Sequence, residues 1–358
     1  MLDIFRIFAA LLVIAIHTSP LTSYSVDADF YLTRVLARVA VPFFMMVTGQ
    51  FVLGKETRNV LHSIKKLGIL YGISILIYLP VGIYAGHYDS LTIISAVQRV
   101  IFDGTFYHLW YFPAMILGIG IAWLLCRQKN QWVSIGIASV LYIIGLGGDS
   151  YYGLICQNTF LDTVYGYGFR IWSYTRNGLF YAPLFLILGY YIGQQKKRES
   201  DKDMEALNSG LVTGNSLNCK ASNDRVKYAV ALMPAITGLV IEATIIRNLG
   251  WQRHDSMYVM LPVVMVFLYC LLLRLGNITR PWLRVVSTWM YILHPGVIVA
   301  VHSAANITGL HIFVDNSLLN YCTVVVLSAG AAFCVAVLYR LVGKKNECRN
   351  RKEGQKTE

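Results

Sequence analysis

The sequence predicts an all-α polytopic membrane protein, and three observations carry that prediction. Of 358 residues only 14% are charged while 56% are hydrophobic, the mean hydropathy is +0.53, and long apolar runs recur from end to end. A soluble domain of this length carries about 25% charged residues, enough for a polar shell. This chain lacks the charge for one, and disorder, collagen and coiled coil are excluded by the same figures. Apolar stretches near 20 residues are the length a helix needs to cross a bilayer.

Ten such runs are expected to be crossings: 2–19, 33–53, 67–85, 107–126, 132–148, 177–194, 228–247, 256–275, 283–303 and 319–341. The first and fifth are the shortest. The first begins almost at Met1, has no basic segment before it and contains Arg6, so it reads as a retained helix and not a cleaved signal. The net charge of +12 would suggest nucleic acid in a soluble protein, but cytoplasmic loops of membrane proteins collect Lys and Arg. With both termini inside, 23 of the 31 basic residues fall in cytoplasmic segments and 5 on the other side. That bias predicts an N-in, C-in orientation in a cell membrane and explains the charge without nucleic acid. Residues 195–227, polar and mixed in charge, read as a flexible cytoplasmic linker, and 344–358 as a basic tail against anionic headgroups. Seven scattered cysteines with no C-x-x-C read as small hydrophobes, with no metal site. Tyr151, Tyr152, Tyr165, Tyr167, Trp172 and Tyr174 read as interfacial aromatics, part of which would line a pocket mouth.

A charge inside a crossing costs roughly 2.5–3.5 kcal/mol on insertion scales, so each needs a reason. Span one holds Asp3, Arg6 and His17. Eleven residues separate Arg6 from His17, three helical turns plus about 20°, which puts both on one face about 16 Å apart along the axis. Arg34 and Arg38, four apart, open the second span on one face, beside Pro42. They either pair with Asp27 or Asp29 or receive an anionic group. His108 sits among the aromatics of Tyr107–Phe112, as a belt histidine or as a polar group facing His17. Arg176 opens the sixth span. Glu242 lies in the seventh, five residues before Arg247, too poorly spaced for a pair within the helix. A buried glutamate is a functional candidate by default. His294-Pro295-Gly296 disturbs the ninth span, as a kink or as part of a site.

In this order, these residues resemble the membrane-bound acyltransferase family 3. The first motif reads Leu2, Asp3, Arg6, Ala9, Ala10, Leu11, Val13 and His17, with Ile4 and Ile7 where the family carries glycine. Phe43, Phe44, Thr48 and Gly49 follow, with Gln50 in place of an aromatic, then His108–Phe112, then Ser287, Tyr291, His294 and Pro295. The likeness covers essentially the whole chain and implies an acyltransferase-3-like membrane domain over 1–343. Val41–Phe44, His108–Ala114, Gly148–Gly153, Thr175–Phe180, Ala182–Phe185 and His254–Tyr258 are similar, more narrowly, to the membrane domain of VanT-type serine racemases of vancomycin resistance. That domain is linked with L-serine supply and precedes a pyridoxal-phosphate domain. No such domain fits within residues 1–358, so no pyridoxal-phosphate site and no racemase chemistry is expected of them.

Two mechanisms follow. In the first, an enzyme moves an acyl group, acetyl in the simplest case, from cytoplasmic acyl-CoA to a hydroxyl acceptor at the cell envelope. His17 is then the general base. Arg6, with Lys55, Arg58, Lys65 and Lys66, holds the phosphates or pantetheine arm of the CoA co-substrate. His108 or Glu242 orients His17 or the acceptor. In the second, the domain carries L-serine or a similar small amino acid, with Arg34 and Arg38 on the carboxylate and Glu242 on the ammonium group. A separate serine racemase is then an expected partner, and the lipid bilayer is a partner in both readings.

Overall fold

The structure is a computed structural model that describes residues 1–354 apart from 87, 90, 129, 277 and 278, with side chains described to residue 341 except that of 339. Among the described residues it is all helix, with no strand. The ten longest helices are α1 (Leu2–Thr18), α2 (Ala40–Val52), α3 (Thr57–Tyr84), α4 (Tyr111–Leu125), α5 (Gln131–Gly147), α6 (Ala182–Asn208), α7 (Gly214–Leu249), α8 (Met260–Arg274), α9 (Pro281–Thr308) and α10 (Ser317–Gly354). Each apolar run of the sequence falls on one of them. By length and composition five segments suffice to cross a membrane: Val26–Val52, Thr57–Tyr84, Gly214–Leu249, Pro281–Thr308 and Ser317–Leu338. The protein is therefore built as an integral membrane protein. The side chains expected to form the basic tail lie outside the described residues.

The helices gather into two compact units, Met1–Thr33 with Ile278–Glu358, and Arg34–Asn277. In the first unit α1 packs on α9 and α10. Ala10 and Ile14 of α1 meet Val286, Met290, Val301, Val324 and Ala332 in its core. The helix α1 stops where Ser19 takes a left-handed conformation (φ 46°) and returns its N–H to the Ala15 carbonyl. Pro20 follows and cannot continue the helix. The loop after it is tied to the start of α10: Ser317 Oγ donates to the Pro20 carbonyl at 2.8 Å, and the Ser317 N–H to Ser23 Oγ at 3.0 Å.

In the second unit α2 lies against α6 so closely that a Cβ on Gly49 would overlap the Leu186 carbonyl, and one on Gly189 the Met46 carbonyl. Reciprocal glycines let two apolar helices approach backbone to backbone, the packing membrane helices use in place of a hydrophobic drive. Tyr269 of α8 donates to Gln50 Oε1 of α2, which gives a polar side chain inside the bundle its partner. α4 and α5 complete the packing on α6, and α7 pairs with α8.

Two expectations change. The 195–227 segment is not a flexible linker: α6 runs on to Asn208, α7 starts at Gly214, and a short turn joins them. Strong helix formers continue α6, the Thr213 side chain caps the start of α7, and ion pairs fasten the two, Lys220 to Asp203 at 2.6 Å and Arg274 of α8 to Glu199 (3.0 Å) and Asp224 (3.3 Å). Arg34 and Arg38 do not share a face. A π-helical turn over Phe30–Val35 gives way at Val35 (φ −120°, ψ −70°) to a 3-10 turn over Leu36–Val39. The change of winding leaves Arg34 exposed and Arg38 buried.

Candidate functional site

Each unit carries a polar constellation. In the first, His17 stands in the last turn of α1, and its ring stacks on that of His294 with centroids 5.2 Å apart and planes at 27°. The sequence His294-Pro295 explains the second ring. Pro295 has no N–H, so the Tyr291 carbonyl four residues back loses its helical donor. His294 Nδ1 takes that place at 2.8 Å, and lies 3.2 Å from the Met290 carbonyl. Carbonyls only accept, so Nδ1 carries the proton and Nε2 is the basic nitrogen. The expected kink is thus also a device that sets a tautomer.

At the other end of α1, Asp3 is buried and accepts from the Arg280 N–H at 2.9 Å and from Arg284 Nε at 2.9 Å, with Arg6 Nε at 3.5 Å. Two guanidiniums around one carboxylate leave the cluster net positive. The unbroken helix keeps this cluster about 16 Å from His17, as the eleven-residue spacing requires. Lys55 sits in the turn between α2 and α3, and it, Arg58, Lys65 and Lys66 belong to the second unit.

In the second unit His108 is buried, edge-on to Tyr78 at 4.7 Å and to Phe106 at 5.7 Å. Glu242 serves a structural role, since it accepts from Tyr151 Oη at 2.6 Å and from the N–H groups of Val259 and Met260 at 2.6 and 2.8 Å. It therefore caps α8 from a neighbouring helix, its carboxylate facing the positive end of the helix dipole. With both oxygens so engaged it is badly placed to take a substrate's proton or ammonium group.

Residues at helix ends make the second constellation. Asp149, just past α5, is fully buried. Its Oδ1 accepts from the N–H groups of Ser256 and Met257 at 2.7 and 2.9 Å and from Ser150 Oγ at 3.1 Å. Burial pushes its carboxyl up to about 6, against those hydrogen bonds and the charges of Arg176 and Arg38. Arg176 donates to Ser256 Oγ at 3.1 Å and lies over the rings of Tyr174 (4.6 Å) and Trp110 (5.0 Å). His254 packs on Tyr174 with centroids 4.6 Å apart. Burial and the charges of Arg176, Arg253 and Arg38 push it down to about 4, so it is neutral at physiological pH. Burial likewise raises the Asp255 carboxyl.

Of the expected site residues, the structure gathers His17 with His294, and Arg6 with Asp3 and Arg284. It groups Arg38 with Arg176 and leaves Arg34 exposed. Asp149, His254 and Asp255 do not stand out in the sequence. Their signal lies in Gly148-Asp149-Ser150 and His254-Asp255-Ser256, where acids border apolar runs. Tyr151 and Tyr152, expected at the membrane interface, hold acids through their hydroxyls, Tyr151 donating to Glu242 and Tyr152 to Asp162 at 2.8 Å.

No solved structure matches the chain. It is similar to an amino-acid racemase of Enterococcus faecalis, 36% identical over 346 residues, which are 94% of this chain and 45% of that protein. It is also similar to a serine/alanine racemase of Enterococcus gallinarum, 34% identical over 340 residues, 92% of this chain and 45% of that protein. The chain thus spans less than half the length of the curated relatives it matches. The profile described as an acyltransferase domain covers residues 1–341, and with the Arg6–His17 helix and the His294-Pro295 turn in place, the chain belongs to the acyltransferase family 3.

Proposed function

We propose that the protein is an integral membrane acyltransferase that moves an acyl group from cytoplasmic acyl-CoA to a hydroxyl acceptor at the cell envelope. The observation that carries this reading is the stack of His17 on His294 at one end of α1, with the Asp3–Arg6–Arg284 cluster at the other. His17 takes the acceptor hydroxyl's proton as its oxygen attacks the thioester carbonyl. The C–S bond then breaks, and the CoA thiolate leaves with the proton that His17 returns. The net positive cluster suits the phosphates of CoA, and a span of about 16 Å suits a pantetheine arm reaching from there to the imidazole. His294 positions the His17 ring. The bias of 23 basic residues against 5 supports ten crossings with both termini in the cytoplasm.

Labelled-acetyl transfer from acetyl-CoA in membranes tests this. General-base catalysis is worth about 10²–10⁴-fold, so His17→Ala loses at least that order of activity while still inserting. Transfer retained in that variant overturns the assignment. A second reading, supply of L-serine or a similar small amino acid, is favoured by the racemases that match over this domain. It predicts serine uptake by vesicles holding the chain, independent of acyl-CoA.

A further inference from the structure

Three charged groups in the second unit, two of them buried and Arg176 half-buried, have no part in acyl transfer, and each keeps a buried atom without a hydrogen-bond partner among the described residues: Arg38 Nε, Arg176 Nε and Asp149 Oδ2. Arg38 is only 8% exposed and Asp149 is fully buried. Ser256 joins two of them, its N–H on Asp149 and its Oγ on Arg176, and the Arg38 charge also acts on Asp149, so the three face one region. A desolvated charge left without compensation destabilises the fold, and a buried donor or acceptor left unmade adds to that cost. The fold uses other interactions to hold the groups in this state. Two N–H groups of the 256–257 turn fix the far oxygen of Asp149, Ser256 Oγ takes one nitrogen of Arg176, and Trp110 and Tyr174 lie against its guanidinium.

The unmet groups specify what completes them. Two guanidinium N–H donors call for an anionic acceptor, and a carboxylate oxygen calls for a cationic donor. A simple carboxylic acid would leave Asp149 Oδ2 unmet, and a simple amine would leave both guanidiniums. An α-amino acid satisfies all three with groups one carbon apart. The surrounding burial favours a small side chain. We propose that Arg38, Arg176 and Asp149 form a binding site for a small zwitterionic amino acid, its carboxylate on the two arginines and its ammonium on Asp149 Oδ2. Neutral His254 adds no competing charge, and Asp255, on which Arg38 also acts, brings the cluster toward neutrality. This rests on the second reading above and names its site. It replaces Arg34 and Glu242 of the sequence expectation with Arg176 and Asp149.

The deciding experiment is equilibrium binding of radiolabelled L-serine to the purified full chain in detergent, with competition by glycine, propionate and ethanolamine, alongside serine uptake into vesicles. The expected result is saturable serine binding, competition by glycine, and at least tenfold weaker competition by propionate and ethanolamine. Arg176→Lys and Asp149→Asn, each checked for native size-exclusion behaviour, should weaken binding at least tenfold. The ligand series on the unaltered chain needs no variant to fold. Propionate competing as well as glycine overturns the zwitterion pairing. Binding or uptake unchanged in both folded variants overturns the site and leaves the supply reading standing. Absence of both binding and uptake in the unaltered chain overturns the site and that reading together.

Discussion

Asp149 and His254 show how burial changes the meaning of a residue type. The Asp149 carboxyl, ordinarily near 3.8, is held up to about 6, so the folded chain keeps its proton through a range where the unfolded chain has lost it. Its contribution to stability therefore falls as pH rises from about 4 to about 6, by a total of order 3 kcal/mol. His254 is displaced the other way, from 6.5 down to about 4, so its contribution rises with pH over about 4 to 6.5. The two slopes oppose each other. Asp149→Asn removes one of them and keeps an Oδ1 acceptor for the Ser256 and Met257 N–H groups. The thermal midpoint of that variant, measured against the unaltered chain in detergent, should become steadily more favourable between pH 4 and pH 6. A difference independent of pH would show that Asp149 is not held in its raised state.

Among the helices, close approach and capping set the tolerances. Gly189 and Gly49 let α2 and α6 meet backbone to backbone. Gly189→Leu should lower stability by about 3 kcal/mol or prevent assembly, since overpacking a fitted contact costs about 1–3 kcal/mol even where side chains can move. Gly120 of α4 has nothing within 4 Å of an added Cβ. Gly120→Ala should be neutral or gain up to about 1 kcal/mol from helix propensity. Thermal melts of the pair, in one detergent, check both. The Glu242 carboxylate caps α8 and holds Tyr151. Glu242→Ala should cost about 1–2 kcal/mol as a lost cap and leave the pH profile of acetyl transfer unchanged. A shifted profile would return Glu242 to the chemistry.

For the molecule as a whole, the charge distribution makes an orientation testable. Cys156 lies between α5 and α6 and Cys219 near the start of α7, and both are exposed. In the proposed N-in, C-in arrangement the first faces outward and the second the cytoplasm. Single-cysteine variants in intact cells should therefore label with an impermeant maleimide at Cys156 at once, and at Cys219 only after permeabilisation. The reverse pattern would invert the orientation.

The sequence by itself determined the all-helical membrane class, the position of each long helix and the shared face of Arg6 and His17. Hydropathy and helical periodicity are local, and α1 is one unbroken helix over both residues. The partnership of His294 with Tyr291 was also local, since a proline deletes its own N–H and frees the carbonyl four residues back. Tertiary structure decided the rest. The Val35 break that buries Arg38 and exposes Arg34 comes from a change of winding that no periodicity announces. The helical continuation of 195–227 draws on ion pairs from α8, about fifty residues or more away along the chain. Glu242 became a cap because the start of α8 was folded beside it, and Asp149 became a site residue because residues 256 and 257 closed over one of its oxygens and left the other without a partner. Burial and the identity of a distant donor are properties of the packed chain, so a charged residue's chemistry is settled only when its neighbours arrive.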